Sequence, residues 1–348
     1  QIFQDSNNTY FPKTEEEVSI LIKEFYKKNL PTEIVGTNTK SFIGNKTQAS
    51  NKISLSKLSG IIDYFPEELY IKVKAGTHVK DIVAELDKNN QQLAFEPVDF
   101  GFLFKGSSDA GTIGGVVSTN FAGPRRFKVG SVRDHILGFR GVNGKGDIIK
   151  SGGTVVKNVT GYDLSKLITG AFGTLVAITE VTLKVLPKQK SCTTVVVYTE
   201  EKKLVNELFE KISSSSSDVS GAVFIPEEPK DERYQYNKER VFKFNDLISN
   251  KSFLAFRVEG DKVSINEKIK KDMGIQSNWE YRKYLQQNAG GENTNLDYFK
   301  DFSSEEIMNE RKNKFFALIF VKSSLISKHL SKIIAVFLFN RLLHFLIN

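Results

Sequence analysis

The chain has 348 residues, 40% of them hydrophobic, enough for two globular domains each with its own core. Its formal charge of +8 arises from 49 Lys and Arg scattered among 41 Asp and Glu, with no basic run interleaved with aromatics. That describes a lysine-rich solvated surface and speaks against a nucleic-acid partner. The single cysteine, Cys192, excludes an internal disulfide and an iron-sulfur cluster held by this chain alone, which takes about four thiolates.

Thr14 followed by Glu17 has the spacing of a capping box, and Val18, Leu21, Ile22 and Phe25 then recur at helical period. Pro31 stops that helix, and "TEIVG" reads as a short strand running into "GTNTKSFIGN", a loop bounded by Gly36 and Gly44. "LYIKVKAG" alternates as a strand, and the helix after it takes Thr77 as N-cap with Val79, Ile82, Val83 and Leu86 on one face. Next comes "GTIGGVVSTNFAGPRR", from Gly111 to Arg126, where the second glycine pair opens a short helix. "VRDHILGFRGVNGKGDIIK" reads as a hairpin turning at Asn143 and Gly144 with His135 in its first strand, and Gly173 to Pro187 is a β-rich run ended by proline.

A first domain is expected over residues 1–190. Beyond it the pattern is strand, helix, strand, strand, helix, close to a ferredoxin-like order over 191–300, with the serines 213–217 as a loop inside it. Residues 301–348 are placed in neither domain. Their last part, "KIIAVFLFNRLLHFLIN", is interrupted by Asn340, Arg341 and His344, short of the roughly 18 or more apolar residues of a spanning helix. It reads as a docking or packing helix. No basic-then-apolar signal segment opens the chain, so a cytoplasmic location is expected, with membrane contact at most peripheral at the inner face. The fold class is α+β.

The chemistry lies in two small-residue loops about 75 residues apart, Gly36-Thr37-Asn38-Thr39-Lys40-Ser41 and Gly111-Thr112-Ile113-Gly114-Gly115. Glycine lets a ligand press on consecutive backbone N–H groups, and such nests and helix starts favour anions such as a pyrophosphate. Either loop alone is equally readable as a tight turn in a β-rich domain. No G-x-G-x-x-G follows a strand and no P-loop signature occurs, which disfavours a Rossmann dehydrogenase and a P-loop nucleotidase.

The succession "IVGTNTKSFIG", "LYIKVKAGTHVKDI", "GTIGGVVSTNFAGPRR", "GSVRDHILG", "VKNVTGYDLSKLITGAFGTLVAITEVTLKVLP" resembles the PCMH-type FAD-binding domain of the vanillyl-alcohol oxidase family, and within it the FAD-binding subunits of bacterial glycolate oxidase. The resemblance covers about residues 10–190. It implies a two-part PCMH-type FAD-binding domain followed by a ferredoxin-like cap domain. Carried over by position, Gly36 to Ser41 contact the pyrophosphate first, Gly111 to Gly115 with Ser118 second. Gly173, Thr174 and Ile178 then offer backbone atoms to the flavin, and Tyr162 and Asp163 lie near the isoalloxazine ring. Family members that attach FAD covalently commonly use a histidine in the first loop. Residues 36–41 contain none, so a non-covalent FAD is expected.

Three departures stand beside the resemblance. The first loop has Gly36-Thr37 where the family usually pairs glycines, the Gly-Glu-His-Gly motif of the family's substrate domain is absent, and so is its usual ending.

Oxidising a 2-hydroxy acid takes a flavin, a base for the hydroxyl proton and a cation for the carboxylate. Arg125 and Arg126, close after the second loop, are candidates for the carboxylate, though a salt bridge or a phosphate contact reads as well; Tyr162 is a further substrate-side candidate. No catalytic base is assigned, because His78 and His135 sit in structural positions and His329 and His344 fall in the unplaced tail. No metal site is expected. Cys192 reads as packing and Arg133-Asp134 as an internal pair. The resemblance implies partners: a second flavoprotein subunit and an iron-sulfur subunit that takes the electrons. The readings are therefore an FAD-binding subunit of a glycolate oxidase acting on a small 2-hydroxy acid, a flavin-binding electron-transfer or structural subunit, and a stand-alone D-lactate-type oxidoreductase.

Overall fold

A computed structural model describes residues 2–41, 43, 47–98, 111–153, 161–198, 202–214, 219–225, 252–273 and 318–322. The chain divides into two compact units between Lys188 and Gln189. The first begins with β1 (Phe3–Gln4), β2 (Thr9–Phe11), α1 (Glu15–Lys27), β3 (Thr32–Val35) and β4 (Asn51–Ser54). These strands form a sheet in the order β1-β2-β4-β3, with β2 and β3 parallel to β4 and β1 antiparallel to β2. Helix α1 starts where the Thr14 hydroxyl accepts the Glu17 N–H at 3.2 Å. The reciprocal half of the expected box slips by one residue, because the Glu17 carboxylate accepts the N–H of Lys13, at 2.6 Å. The apolar stripe Val18, Leu21 and Phe25 then packs on Ile53, Leu55 and Leu58, and Val142 and Ala177 reach it from the next sheet. Each such side chain contributes about 1.5–3 kcal/mol by leaving water.

The second sheet holds β5 (Ile61–Phe65), β6 (Tyr70–Lys74), β7 (Gln91–Leu93), β8 (Ile136–Asn143), β9 (Ile148–Gly152) and β10 (Val176–Pro187). Its antiparallel order is β5-β6-β10-β8-β9, with β7 paired to the far end of β10. Over one face lie α2 (Val79–Asp87), α3 (Ile113–Thr119) and, further along the chain, α5 (Leu164–Ile168), with the short α4 (Arg126–Val129) between α3 and α5 in sequence. Ile82 and Leu86 of α2 and Ile113, Val116 and Val117 of α3 close a core on Ile71, Val73, Val181 and Leu183. The hairpin turn between β8 and β9 is tied by the Asn143 side chain, which accepts the N–H groups of Lys145 and Asp147, both at 2.9 Å.

Two local expectations change. Thr77 does not cap α2: its hydroxyl is taken by the carbonyls of Lys74, at 2.7 Å, and Gly60, at 3.1 Å, so His78 occupies the N-cap position without a side-chain bond. His135 precedes β8 rather than lying in it, since a 3₁₀ turn over Val132–Asp134 delays the strand to Ile136.

The second unit contains β11 (Ser191–Tyr198), α6 (Lys202–Ser213), β12 (Val219–Ile225), β13 (Phe253–Gly260), α7 (Lys262–Met273) and β14 (Leu318–Lys322). Its sheet is antiparallel in the order β12-β13-β11-β14, the ferredoxin-like arrangement. The fourth strand, β14, comes from the segment 301–348 that sequence reading leaves unplaced. Leu254, Phe256 and Val258 pack on Val195 and Ile265, while the intervening Arg257, 2% exposed, donates Nε–H to Ser220 at 3.2 Å and lies 3.5 Å from the Glu259 carboxylate. Among the described residues no helix is long and apolar enough to cross a membrane, and no cluster of three or more His, Cys, Asp or Glu could hold a metal.

Candidate functional site: a cradle of glycine loops

Strand β3 delivers Gly36 to a point where the Ser54 hydroxyl donates to its carbonyl, at 3.0 Å. A Cβ added there would stand 2.3 Å from Thr112 Oγ1. The two loops, far apart in sequence, therefore touch, and they touch only because residue 36 has no side chain. Asn38 then takes a left-handed conformation, φ 59°, which turns the chain so that Thr39 is buried and Lys40 half-buried. The Lys40 carbonyl accepts the Ile43 N–H at 3.1 Å, closing the turn. The Lys40 ammonium lies 3.8 Å from where a Cβ would sit on Gly111 and equally far from one on Gly115. Thr37 is half-buried and Ser41 exposed. The far end of this loop, at Gly44, lies outside the described residues.

The second loop is pinned to the β6–α2 junction. Thr112 bridges His78, and Gly111 accepts the Val79 N–H at 3.1 Å. The N–H groups of Ile113 and Gly114 donate to the carbonyls of Thr77, at 2.9 Å, and Ala75, at 2.8 Å. Those two amides, which the sequence assigns to an anion nest, are committed to the protein itself, and Gly114 is small because a Cβ would meet that of Ala75 at 2.8 Å. Gly111, Thr112 and Gly115 are the members of the loop turned toward Gly36 and Lys40.

Ser118 links the second loop to a third. Its carbonyl accepts the Phe172 N–H at 2.8 Å, and that of Val117 accepts the Gly170 N–H at 3.1 Å. This carries Gly173, φ 74°, next to β3, where its added Cβ would lie 3.7 Å from that of Ile34. Thr174 is exposed, with its hydroxyl on the Ala171 carbonyl at 2.7 Å. Ile178 is 3% exposed in the core and pairs with Gly141 in the β10–β8 ladder.

The substrate-side candidates are less gathered. Arg125 is buried and its N–H donates to the Glu96 carboxylate at 2.9 Å, whereas Arg126 opens α4 in solvent, so the adjacent arginines occupy different surroundings. Glu96, which sequence reading missed, also packs on Gly123, whose added Cβ would lie 2.8 Å from its own. Tyr162 is 91% exposed. Asp163 caps α5 through the Lys166 N–H, at 3.1 Å, and the Lys166 side chain holds its carboxyl below the usual range. His135 is buried with Nε2 2.8 Å from the Val129 carbonyl, and burial pushes its pKa down, which disfavours its charged form. Asp134 bonds the Ser131 N–H at 2.7 Å and is shifted below the usual carboxylate range by it, instead of pairing with Arg133. The segment 154–160, His329 and His344 lie outside the described residues.

A cavity of about 310 Å³ opens elsewhere, by the start of α1, lined among others by Lys13, Lys72, Arg140 and Glu180 and by no glycine-loop residue. Four of its charges engage one another: Glu15 accepts from Arg140 and from the Thr179 hydroxyl, and Lys72 lies 3.4 Å from Glu180.

Three glycine-containing loops converge in this α+β unit, an arrangement suited to a dinucleotide. The open Cβ positions at Gly111 and Gly115, beside the contact of Gly36 with Thr112, fit a diphosphate pressed against backbone. Residues 8–152 match the sequence model of a family described as FAD binding domain. That stretch is thus similar to FAD-binding domains. The chain is 40% identical over 161 residues to glycolate oxidase subunit GlcE of Escherichia coli, covering 46% of this chain and 44% of that one. It is 34% identical over 184 residues to a D-lactate dehydrogenase of Anaerostipes hadrus, covering 52% and 37%. The chain spans less than half the length of these curated relatives. Among solved structures, p-cresol methylhydroxylase with substrate bound shares the fold, with a TM-score of 0.59 at 17% identity, over 83% of this chain and 60% of that one.

Proposed function

We propose that the chain is the FAD-binding subunit of a 2-hydroxy-acid dehydrogenase of the glycolate oxidase type. The observation that carries the reading is the contact of Gly36 with Thr112, with the Lys40 ammonium beside Gly111 and Gly115, in a chain similar over 161 residues to the glycolate oxidase subunit. In this reading residues 36–41 and 111–115 with Ser118 hold the diphosphate, and the backbone around Gly173, Thr174 and Ile178 borders the flavin. FAD, when bound, supplies the acceptor for the hydride on the carbon bearing the substrate hydroxyl. Arg126, in solvent at the start of α4, and Tyr162 meet the incoming acid, with Arg125 behind them on the Glu96 side. Because residues 36–41 lack a histidine, FAD is held without a covalent bond. With one cysteine on the chain, electrons leave through a second flavoprotein subunit and an iron-sulfur subunit, in the cytoplasm or at the inner face of its membrane.

The test is to purify the chain, record its visible spectrum, and add glycolate with and without partner subunits. Absence of flavin absorbance contradicts the reading. The commitment of His135 to the Val129 carbonyl favours a second version, in which this subunit binds flavin and relays electrons without its own base. Bleaching by glycolate in the isolated chain contradicts that version, and bleaching by D-lactate alone favours a stand-alone D-lactate-type oxidoreductase.

A further inference from the structure

Side chains alternate along β6 and β10, so Ile71, Val73 and Val181 enter the core while Lys72, Lys74 and Glu180 face the other way, toward the cavity of about 310 Å³ at the start of α1. The ladder sets Lys74, Glu180, Arg140 and Lys150 opposite one another on β6, β10, β8 and β9, three cations to one acid. The acids in the cavity are taken up locally. Glu15 accepts from Arg140 and the Thr179 hydroxyl, and Glu180 lies 3.4 Å from Lys72 and 3.9 Å from Arg140 Nε. Glu16 is held below the usual carboxylate range by its own backbone N–H and the Thr14 hydroxyl. That leaves Lys74, half-buried, and Lys13, exposed, with no carboxylate within 4.0 Å among the described residues. The cavity also presents an acceptor: Glu180 Oε2 is buried and accepts no hydrogen bond among the described residues. A half-buried ammonium without a counter-charge and a buried carboxylate oxygen without a donor each cost free energy. One ligand meets both needs when it carries an anionic group and a hydroxyl a few atoms apart.

We propose that this cavity is a second ligand site, for a small organic anion bearing a hydroxyl. Its carboxylate or phosphate lies between Lys13 and Lys74, and its hydroxyl donates to Glu180. The volume is at the lower end of the range for ligand pockets, about 300–1,000 Å³, and suits a metabolite of a few carbons rather than a nucleotide. No glycine-loop residue lines it, so this ligand and a dinucleotide in the cradle occupy different places.

The experiment is isothermal titration calorimetry of the full chain, with and without saturating FAD, as wild type, Lys74→Met, Lys74→Arg, Glu180→Met and Lys150→Met. The probes are malate, succinate and glycerol 3-phosphate, at about 0.01 M and about 0.1 M salt. In wild type, malate or glycerol 3-phosphate is expected to bind with a Kd of about 1 mM or tighter, the tighter of the two identifying the anionic group, and malate about tenfold better than succinate, which lacks the hydroxyl. Lys74→Met weakens binding by about ten- to a hundredfold and Lys74→Arg keeps most of it. Lys150→Met, which removes the same charge from the same sheet face outside the cavity, changes binding by less than about twofold. Glu180→Met brings the malate-to-succinate ratio to about one, a readout in which the change of site charge cancels. Four results would each overturn the proposal. No binding of malate or glycerol 3-phosphate marks a solvated charged face, and equal losses in Lys74→Met and Lys150→Met mark long-range attraction. Equal affinity for malate and succinate in wild type removes the hydroxyl contact, and displacement of the anion by FAD makes the cavity part of the cradle.

Discussion

Replacing Gly36 by Ala tests whether the two loops form one rigid cradle. Gly36 is not in the left-handed region, so alanine is allowed by its backbone and the effect is purely one of space. The new Cβ would stand 2.3 Å from Thr112 Oγ1, 3.4 Å from its Cβ and 3.5 Å from its Cγ2, against about 3.5–4.0 Å for relaxed contact between carbons. Thr112 is 3% exposed and bridged to His78, and Ser54 holds the Gly36 carbonyl, so neither side yields easily. Overpacking of this kind costs about 1–3 kcal/mol. For a unit of this size each kcal/mol lowers Tm by about 2–4 °C, giving a drop of about 2–12 °C if the flavin-free chain keeps the strained contact; if the loops part to relieve it, the cost of bringing them back appears in FAD binding instead, as a loss of about fivefold to 150-fold. In Gly36→Ala/Thr112→Ala the hydroxyl is gone and the nearest remaining atom is the Cβ at 3.4 Å, so the double variant regains most of the loss. Thermal melts of the flavin-free chain and FAD titrations of the four members of the cycle measure this. A Gly36→Ala protein with wild-type Tm and affinity, or a double variant no better than the single, refutes the reasoning.

Gly76→Ala would place its Cβ 2.2 Å from the Leu55 carbonyl oxygen and 2.6 Å from that of Leu58, backbone atoms that no rotamer change removes. Its melting temperature is expected to fall by more than that of Gly36→Ala, with a cost of about 3 kcal/mol or more. Glu15→Ala takes away the acceptor of Arg140 and of the Thr179 hydroxyl, the latter bond 2.5 Å long. Because Arg140 is 36% exposed, the loss is discounted for solvent to about 1–3 kcal/mol, read from the urea midpoint. Burial lowers the pKa of His135 in the folded chain, so on acidification the unfolded chain binds the extra proton first. Stability is then highest above the unfolded value of about 6.5 and declines as pH falls below it toward the folded pKa; urea unfolding of His135→Gln across that window should show a flatter pH dependence. Acid precipitation should leave the pellet colourless and the flavin in solution; a yellow pellet contradicts non-covalent attachment.

What the sequence determines here follows from local periodicity and motif order. The stripe of Val18, Leu21 and Phe25, the strand-helix succession into Ile82 and Leu86 and the Asn143 hairpin each depend on residues within a dozen positions, where hydrophobic spacing reports burial directly. The two glycine loops are equally visible, as is their kinship with FAD-binding domains.

Hydrogen-bond destinations are another matter, because each partner is chosen by tertiary proximity. Thr77 has the chemistry of an N-cap, yet Gly60 claims its hydroxyl. Ile113 and Gly114 offer amides to an anion, yet Ala75 and Thr77 take them. Arg125 and Arg126 are neighbours in sequence, yet the turn on Gly123 and Glu96 buries one and exposes the other. Strand β14 joins its sheet from a segment far from its partner, where no local pattern names β11. The sequence by itself settles which residues leave water and where backbone must be bare. Only the folded chain, by setting Gly36 on Thr112 and Lys40 over Gly111 and Gly115, decides which of those bare stretches face one another, since that contact joins segments whose spacing carries no record of it.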